Sequence, residues 1–557
     1  MYLVHAMTRS RQFLLLTALL SACTDTDVAL RWPDGARLDP AELSPQLPTP
    51  VAEISPPIVR VGTLATCGLA DPLAHLSPVE VTWRLRGAFI ATGATLEVPD
   101  AVGQTLSCVA TVWIGGQLSE TEPTTARIAP RPGDDNVLVI VADDLGVDRV
   151  GVYGVGTDPP PTPNLDALAA DGMRFNQAWA TPSCSPTRAA LLTGRHGFRT
   201  GIGKASSAAD GYPLALDELT LPEVLAHAPT PYTSAAVGKW HLANFEVGHG
   251  HHVLEQGFLH HRGNLGNLRR DESVDGGVQG FFNYEYAVDG EVSRRADYLT
   301  SVEVDDALDF IATLPEPWLV YLAFHAAHSP AHVPPRDLYS GPDLVPGEAS
   351  DQARFDAMTE ALDTEIGRLL EGVPDTTLVV FLGDNGTERE AAQGPYPDDE
   401  VKLSMYEGGI RIPLIVRGPQ VAFPGSTSDA LVHVVDLLPT LAELAKLDVG
   451  ATFPDLKLDG VSFAPYLADP THPSVRQFVY TERFIDNGFG PYTEHSRAVR
   501  DARYKLIWDM TDGYELFDLG LRWQEEDDLL AYETVSDEAS AAFEALAPLL
   551  EGPTFQR

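Results

Sequence analysis

The sequence predicts an α/β protein in which a mostly parallel sheet is sandwiched by helices. A small C-terminal antiparallel α+β subdomain follows it, and an all-β module precedes it. Three observations carry this reading. From Asp134 onward, short apolar runs at 137–141, 234–237, 318–324, 378–382 and 412–416 have the texture of strands buried on both faces. Helix-like stretches such as NLDALAADG and FDAMTEALDTEIGRLLEG lie between them, the alternation that builds a parallel sheet under two helical layers. At both ends of the chain, short alternating runs separated by turn residues replace this pattern, as antiparallel strands require.

The 557 residues carry 38 basic and 79 acidic side chains, a net charge of −41. At about 150 residues per domain, this length allows three or four domains. A hydrophobic content of 44% is enough to bury a sizeable core, which excludes wholesale disorder. The charge excludes nucleic acid as the main partner, because phosphate would be repelled. Any anionic substrate must therefore be met by a local cationic pocket.

The N-terminus reads as a targeting signal. Arg9 and Arg11 precede an apolar run at 13–20 that is too short to span a bilayer, and Leu20-Ser21-Ala22-Cys23 follows. This order predicts a lipoprotein signal peptide over 1–22, with Cys23 lipidated as the first mature residue. The protein is then expected to be exported and held by its lipid in a bacterial envelope, facing the periplasm or the cell surface. If the lipid site is unused, it is secreted. Residues 23–54, rich in Pro and Asp, read as a tether.

Residues 55–128 contain the strand-like runs IVRVGTLATC, VEVTWRLRG, ATLEVP and TLSCVATVWIGG. Cys67 and Cys108 flank Trp83 there, the Cys, Trp, Cys order of an immunoglobulin-like sandwich, and an oxidising compartment would pair the two thiols. The α/β region then occupies 134–470. Residues 471–557, with RAVRDARYKLIWDMTDGYELFDL and a helical tail, form the C-terminal subdomain.

Four of the apolar runs end in clustered polar side chains. The first leads into Asp143 and Asp144, the second into Lys239 and His241, the third into His325 and His328, and the fourth into Asp384 and Asn385. In open α/β sheets ligands bind beyond the carboxyl ends of the strands, so these clusters converge on one site. The carboxylates and the amide offer only oxygen, which suits Ca²⁺, or Mg²⁺, better than zinc. Lys239, His241, His328 and the later Lys402 add cations and proton donors, so the set describes an anion site beside a metal.

Cys184 is the cysteine left over once lipid and disulfide are assigned. It lies in PSCSPTRAALLTGRH, where Ser185 reads as a helix N-cap and Pro186 as a first-turn residue. The thiol would then sit at the positive end of a helix dipole.

These residues resemble the type I, arylsulfatase-like sulfatases of the alkaline-phosphatase superfamily. Cys184-Ser185-Pro186-Thr187-Arg188 is similar to the C-x-P-x-R motif in which cysteine is oxidised to formylglycine (3-oxoalanine), and Leu192-Thr193-Gly194-Arg195 is similar to its extension. The likeness covers roughly residues 134–520 and includes TPNLDALAADGMRFNQAWA, AVGKWHL, GDNG and KLSMYEGGIRIP. It implies an alkaline-phosphatase-like fold and hydrolysis of sulfate esters to alcohol and inorganic sulfate. It also implies a maturation enzyme that generates formylglycine, and a sulfated small molecule or glycan as substrate.

Residue by residue, the resemblance makes Asp143, Asp144, Asp384 and Asn385 calcium ligands, with formylglycine at Cys184 completing the shell. One hydroxyl of the formylglycine hydrate would attack sulfur and release the alcohol, and the second would expel sulfate. Arg188 and Lys239 would stabilise the hydrate, and His241 would assist elimination. Lys239, His328 and Lys402 would bind sulfate, with His328 or Lys402 serving as the acid. Three positions depart from the pattern: Ala327 stands where proline is usual before His328, Ala243 follows GKWHL, and Leu259 replaces an acidic residue. The histidine-rich runs between His249 and Arg262 read mostly as solvated loop. Two alternatives stay open: a phosphodiester or phosphonate monoester hydrolase of the same superfamily, and a catalytically silent surface-binding lipoprotein.

Overall fold

The computed structural model describes residues 51–550 apart from 56–58, 71–77, 100, 102–103, 115–116, 130–132, 207–211, 244–249, 269–279, 393 and 521–523. The segment read as a signal peptide, Cys23 and nearly all of the segment read as a tether lie outside the described residues. The chain divides into two compact units, one comprising residues up to Val59 with Thr63–Ile128, the other comprising Arg60–Gly62 with Ala129 onward.

The first unit is all-β. One antiparallel sheet joins Ala52–Ser55, Leu64–Leu69 and Thr95–Glu97, and another carries Glu80–Leu85, Ala88–Thr92, Thr105–Ile114, Gln117–Glu120 and Thr124–Ala129. The strand Ala52–Ser55 begins inside the segment read as tether, 23–54, and its first three residues correct that boundary. Ala52 and Ile54 alternate inward while Glu53 and Ser55 face out, a period of two hidden beside a proline-rich stretch. The Cys67–Cys108 disulfide is formed and links the two sheets. Trp83 lies opposite Cys108 in the strand register and is fully buried, with its Nε1 donating to the Gly93 carbonyl at 2.8 Å.

The second unit is built on a ten-stranded sheet. Its centre holds, side by side and parallel, His260–Asn264, Thr233–Lys239, Trp318–Ala323, Val137–Ala142 and Leu378–Gly383. Burial on both faces explains why the central strands other than His260–Asn264 read as apolar runs. Val137, Val139 and Val141 face one helical layer with Tyr321 and Val380, while Leu138 and Ile140 face the other with Val320 and Phe381. The helix Cys184–Thr193 packs on the first face, and Leu299–Thr313 and Asp351–Gly372 pack on the second.

One expected strand runs the other way. The run expected at 412–416 is Leu414–Arg417, and it pairs antiparallel with Leu378–Gly383. Residues 384–413 contain no crossover helix and stay at the carboxyl end of the sheet, so the chain must re-enter from that end. The outer strands Met173–Trp179, Ser426–His433, Tyr284–Val288 and Glu291–Arg295 carry too many polar residues to read as apolar runs.

After residue 470 a four-stranded antiparallel meander forms from Val479–Ile485, Glu494–Arg500, Tyr504–Asp509 and Gly513–Asp518. Its two faces split by parity. Tyr480, Val499, Leu506 and Leu516 pack under the helix Asp537–Leu550, and Val479, Ala498, Ile507 and Phe517 pack on Trp179 and Ile410 of the larger sheet's region.

Candidate active site

The four clusters seen in the sequence come together because their strands are neighbours. Val137–Ala142 is the central strand, and both its partners come later in the chain, on opposite sides, which makes a topological switch point. Backbone bonds extend the strands into the site: Asp143 N to Ala326 O at 3.0 Å, Ala327 N to Asp143 O at 2.9 Å, and Asp384 N to Ala142 O at 3.0 Å. Gly238, at φ +88°, has no alternative here, since a Cβ would lie 2.1 Å from the Ala323 carbonyl oxygen. That close approach delivers Lys239 beside Asp143.

The charges form a dense buried cluster. Lys239 Nζ donates to Asp143 Oδ2 at 2.5 Å, and both side chains are fully enclosed. Arg188 grips Asp384 Oδ2 through Nη2 at 2.8 Å and Nε at 3.2 Å, while Nη1 donates to the Lys239 carbonyl at 2.7 Å. Asp144 adopts a left-handed backbone conformation at φ 59°. Its amide donates to Asp384 Oδ1 at 3.0 Å, and its carboxylate accepts from Asn385 Nδ2 at 2.8 Å and Lys402 Nζ at 2.6 Å. His328 Nε2 stands 3.7 Å from the same carboxylate. Cys184 Sγ approaches Asp144 Oδ1 at 4.0 Å. All ten residues named from the sequence as catalytic groups or metal ligands are thus in this neighbourhood; His241 is coupled to Lys239, Arg188, His328 and Lys402 through their charge rather than through a hydrogen bond.

The helix that presents Cys184 begins two residues earlier than the sequence suggested. Its N-cap residue is Ser183, and Cys184 is the first helical residue. Ser185 does something else: its Oγ donates to the His241 carbonyl at 2.6 Å and accepts from the Ser206 amide at 2.9 Å. Cys184 therefore sits where the free backbone N–H groups of a ten-residue helix concentrate partial positive charge.

Burial and neighbouring charge set the protonation states. Burial pushes the Cys184 thiol well above its usual range, against the pull of Lys239. Burial, reinforced by Lys239 and Arg188, holds His241 well below an ordinary histidine. His328 is pushed down to about 3 by burial despite the Asp144 carboxylate. Burial also opposes ionisation of Asp144, but Lys402, His328 and Lys239 outweigh it and hold its carboxyl below the normal range. Asp384 rises to about 6 through burial and the charge of Asp143.

The donor set fits a hard cation. Asp143, Asp144, Cys184 and His328 offer atoms all within 4.8 Å of one another. Asp143 Oδ1 and Asn385 Oδ1 are buried without a hydrogen-bond partner among the described residues. Two orphaned acceptors beside three carboxylates are costly unless an ion satisfies them.

Sequence reasoning missed Glu303. Glu303, on the helix Leu299–Thr313, is fully buried and pairs with His325 Nδ1 at 2.6 Å just behind the site. A carboxylate at a core-facing helical position was the available signal. The histidine-rich region also needs correction. His252 is buried and accepts from Trp240 Nε1 at 3.0 Å, and His261 is buried on the strand His260–Asn264, whose pairing with Thr233–Lys239 turns an expected loop into sheet. His249 lies outside the described residues.

A family profile described as Sulfatase matches residues 135–447, more than half of the chain. The chain belongs to the sulfatase family. A second profile, described as the C-terminal region of N-sulphoglucosamine sulphohydrolase, matches residues 400–546 of this sulfatase. Arylsulfatase A of Bos taurus is 33% identical over 398 residues, spanning 66% of this chain and 74% of its own length. N-acetylgalactosamine-6-sulfatase of Homo sapiens is 34% identical, spanning 61% of this chain and 66% of its own. Among solved structures, that of Ps i-CgsB superposes with a TM-score of 0.61 at 24% identity, covering 74% of this chain and 92% of that one. The structure of BT4656 in complex with its substrate D-glucosamine-2-N,6-O-disulfate gives a TM-score of 0.58 at 20% identity, covering 75% and 98%. The sheet is accordingly that of the alkaline-phosphatase-like α/β fold, and the chain is a sulfatase enzyme.

Proposed function

We propose that this sulfatase cleaves the sulfate ester of a small sulfated sugar or glycan, using a formylglycine made from Cys184 and a calcium ion. The observation that carries the proposal is the placement of residue 184 at a helix N-terminus, enclosed by Asp143, Asp144, Arg188, Lys239 and Lys402. Asp143, Asp144, Asp384 and Asn385 would hold the ion together with residue 184. Bound there, calcium would supply Lewis-acid polarisation of a sulfate oxygen.

The remaining groups have roles set by where they sit. Arg188 is locked between Asp384 and the Lys239 carbonyl, so it holds the ligand set in place rather than moving. Lys239 stabilises charge on residue 184 from the fully buried side. His241 is neutral, with Nδ1 unpartnered among the described residues, and so can take a proton from the modified side chain. His328 and Lys402 are the more exposed members, with side chains 13% and 12% accessible. Lys402 directs N–H donors at the sulfate, whereas His328 spends its Nδ1–H on the Ser329 carbonyl at 2.7 Å and can donate to the leaving oxygen through Nε2 only once a proton has been added there.

The wider proposals follow the sequence. The inter-sheet disulfide beside Trp83 supports an immunoglobulin-like reading of the first unit. Lipidation at Cys23 would tether the enzyme to a membrane, and a formylglycine-generating partner would act on residue 184. The deciding assay compares an aryl sulfate with a matched phosphodiester, with and without a chelator. We expect faster cleavage of the sulfate ester, lost on chelation and restored by calcium. Faster phosphodiester cleavage would replace this reading with the phosphodiesterase alternative.

A further inference from the structure

We propose that Glu388 selects the leaving-group side of the substrate: it receives a hydroxyl of a neutral sugar ring and rejects a second sulfate or carboxylate there. This rests on the sulfatase reading above and names the substrate class of that same site. A cavity of about 380 Å³ is lined by Ser329, Pro330, Phe355 and Leu268 together with the carboxylates of Asp351, Glu388 and Glu390. Pockets of this size hold small organic ligands. Ser329 directly follows His328, whose Nε2 stands 3.7 Å from Asp144. The cavity therefore adjoins the sulfate site on the side where His328 meets the leaving oxygen.

The carboxylates in this wall differ in how they are satisfied. Asp351 is paired with Arg354. Glu388 Oε1 accepts from Ser329 Oγ at 3.3 Å, whereas Oε2 is buried with no hydrogen-bond partner among the described residues. A buried carboxylate oxygen without a donor is unfavourable; Glu388 lines the cavity, and a rotation of its carboxylate would bring that oxygen to a sugar hydroxyl entering there. Pro330 and Leu268 offer an apolar wall to the C–H face of the ring. Burial and the Asp144 charge raise the Glu388 carboxyl to about 7, so in assays above that pH a second anion in the same place would meet the charges of Glu388 and Glu390, a like-charge contact that discriminates against it.

The test uses the full-length, calcium-loaded enzyme and measures kcat/KM for a 6-O-monosulfated hexose, its 3,6-disulfated counterpart and an aryl sulfate. The wild type should prefer the monosulfate to the disulfate by at least about tenfold. Glu388→Gln, which removes the charge at constant shape, should bring that ratio close to one, mainly through KM of the disulfate. The ratio is internal to each protein, so a partly folded preparation does not distort it. An unmoved ratio in Glu388→Gln, a wild-type preference for the disulfate, or aryl sulfate cleavage without any hexose sulfate cleavage overturns this proposal alone. Failure to cleave the aryl sulfate overturns the parent reading and this one with it.

Discussion

Two buried charge networks lie in the second unit, and they are wired differently. At the joint between the large sheet and the C-terminal meander, Lys505 pairs with Glu407 at 3.2 Å and Glu525 at 2.5 Å, fully out of water. Trp179 Nε1 donates to Glu407 at 3.1 Å, the Glu407 amide donates to Glu525 at 2.6 Å, and Lys505 Nζ lies 4.9 Å from the centre of the Trp179 ring. Each charge in this network meets an opposite one: even Glu525 Oε1, which receives no well-directed hydrogen bond, lies 2.5 Å from the Lys505 ammonium, whereas Asp143 Oδ1 is 3.6 Å from Arg188. At the carboxyl ends of the strands, by contrast, Asp143 and Asn385 each keep a buried oxygen without a donor, despite Arg188, Lys239 and Lys402 close by. A structural network closes on itself, whereas a catalytic one leaves valences for what it binds.

The comparison can be broken or sharpened by substitution. The largest effect is expected from Cys184→Ala, which removes the group to be modified and should lower kcat by at least about 10⁴-fold with the fold intact by circular dichroism. Substantial residual turnover would mean that the nucleophile lies elsewhere. Lys505→Met comes next. It leaves Glu407 and Glu525 buried without their cation, so unfolding free energy should fall by about 3–5 kcal/mol in denaturant titration. Calcium affinity of the folded fraction should not change, and a neutral Lys505→Met would erase the distinction between the two networks.

Asn385→Ala should reverse that pattern. It deletes one of the orphaned oxygens, so calcium affinity by calorimetry should fall by more than about 100-fold, beyond what losing a merely orienting partner costs. Stability of the metal-free protein should change far less than in Lys505→Met, because removing the unsatisfied Oδ1 offsets the loss of the Nδ2 bonds to Asp144 and the Gly386 carbonyl. Retained calcium affinity would remove Asn385 from the ligand set.

The smallest effect concerns pH. Burial pushes His261 down to about 4, while the unfolded chain keeps it near 6.5. Between those values the unfolded state binds more protons, so its contribution is present above pH 6.5 and is lost as pH falls toward 4. The apparent Tm should fall across that window, and His261→Gln should flatten the slope. An unchanged slope would show that His261 is not held neutral.

The central strands were legible because each is buried on both faces, which leaves Val137 to Val141 and Leu378 to Leu382 as unbroken apolar runs. The site was legible for the same reason, since polar residues ending such runs, Asp143 or Asp384, have few places to go but the sheet's carboxyl edge. Direction was not legible. Leu414–Arg417 looks like its neighbours in composition, and only the absence of a crossover helix reverses it. Strands with polar alternation, such as His260–Asn264, hid behind their histidines. The Glu303–His325 pair and the Ser185 bridge to His241 depend on long-range contacts that no local spacing records.

Catalysis of this kind requires residue 184 to be formylglycine rather than cysteine, which mass spectrometry of the tryptic peptide FNQAWATPSCSPTR from protein made in its native host decides. The account predicts a lower mass, an aldehyde that reacts with hydrazides, and no alkylation by thiol reagents. A peptide of unmodified mass that alkylates fully at Cys184, from enzyme that hydrolyses sulfate esters, would contradict it.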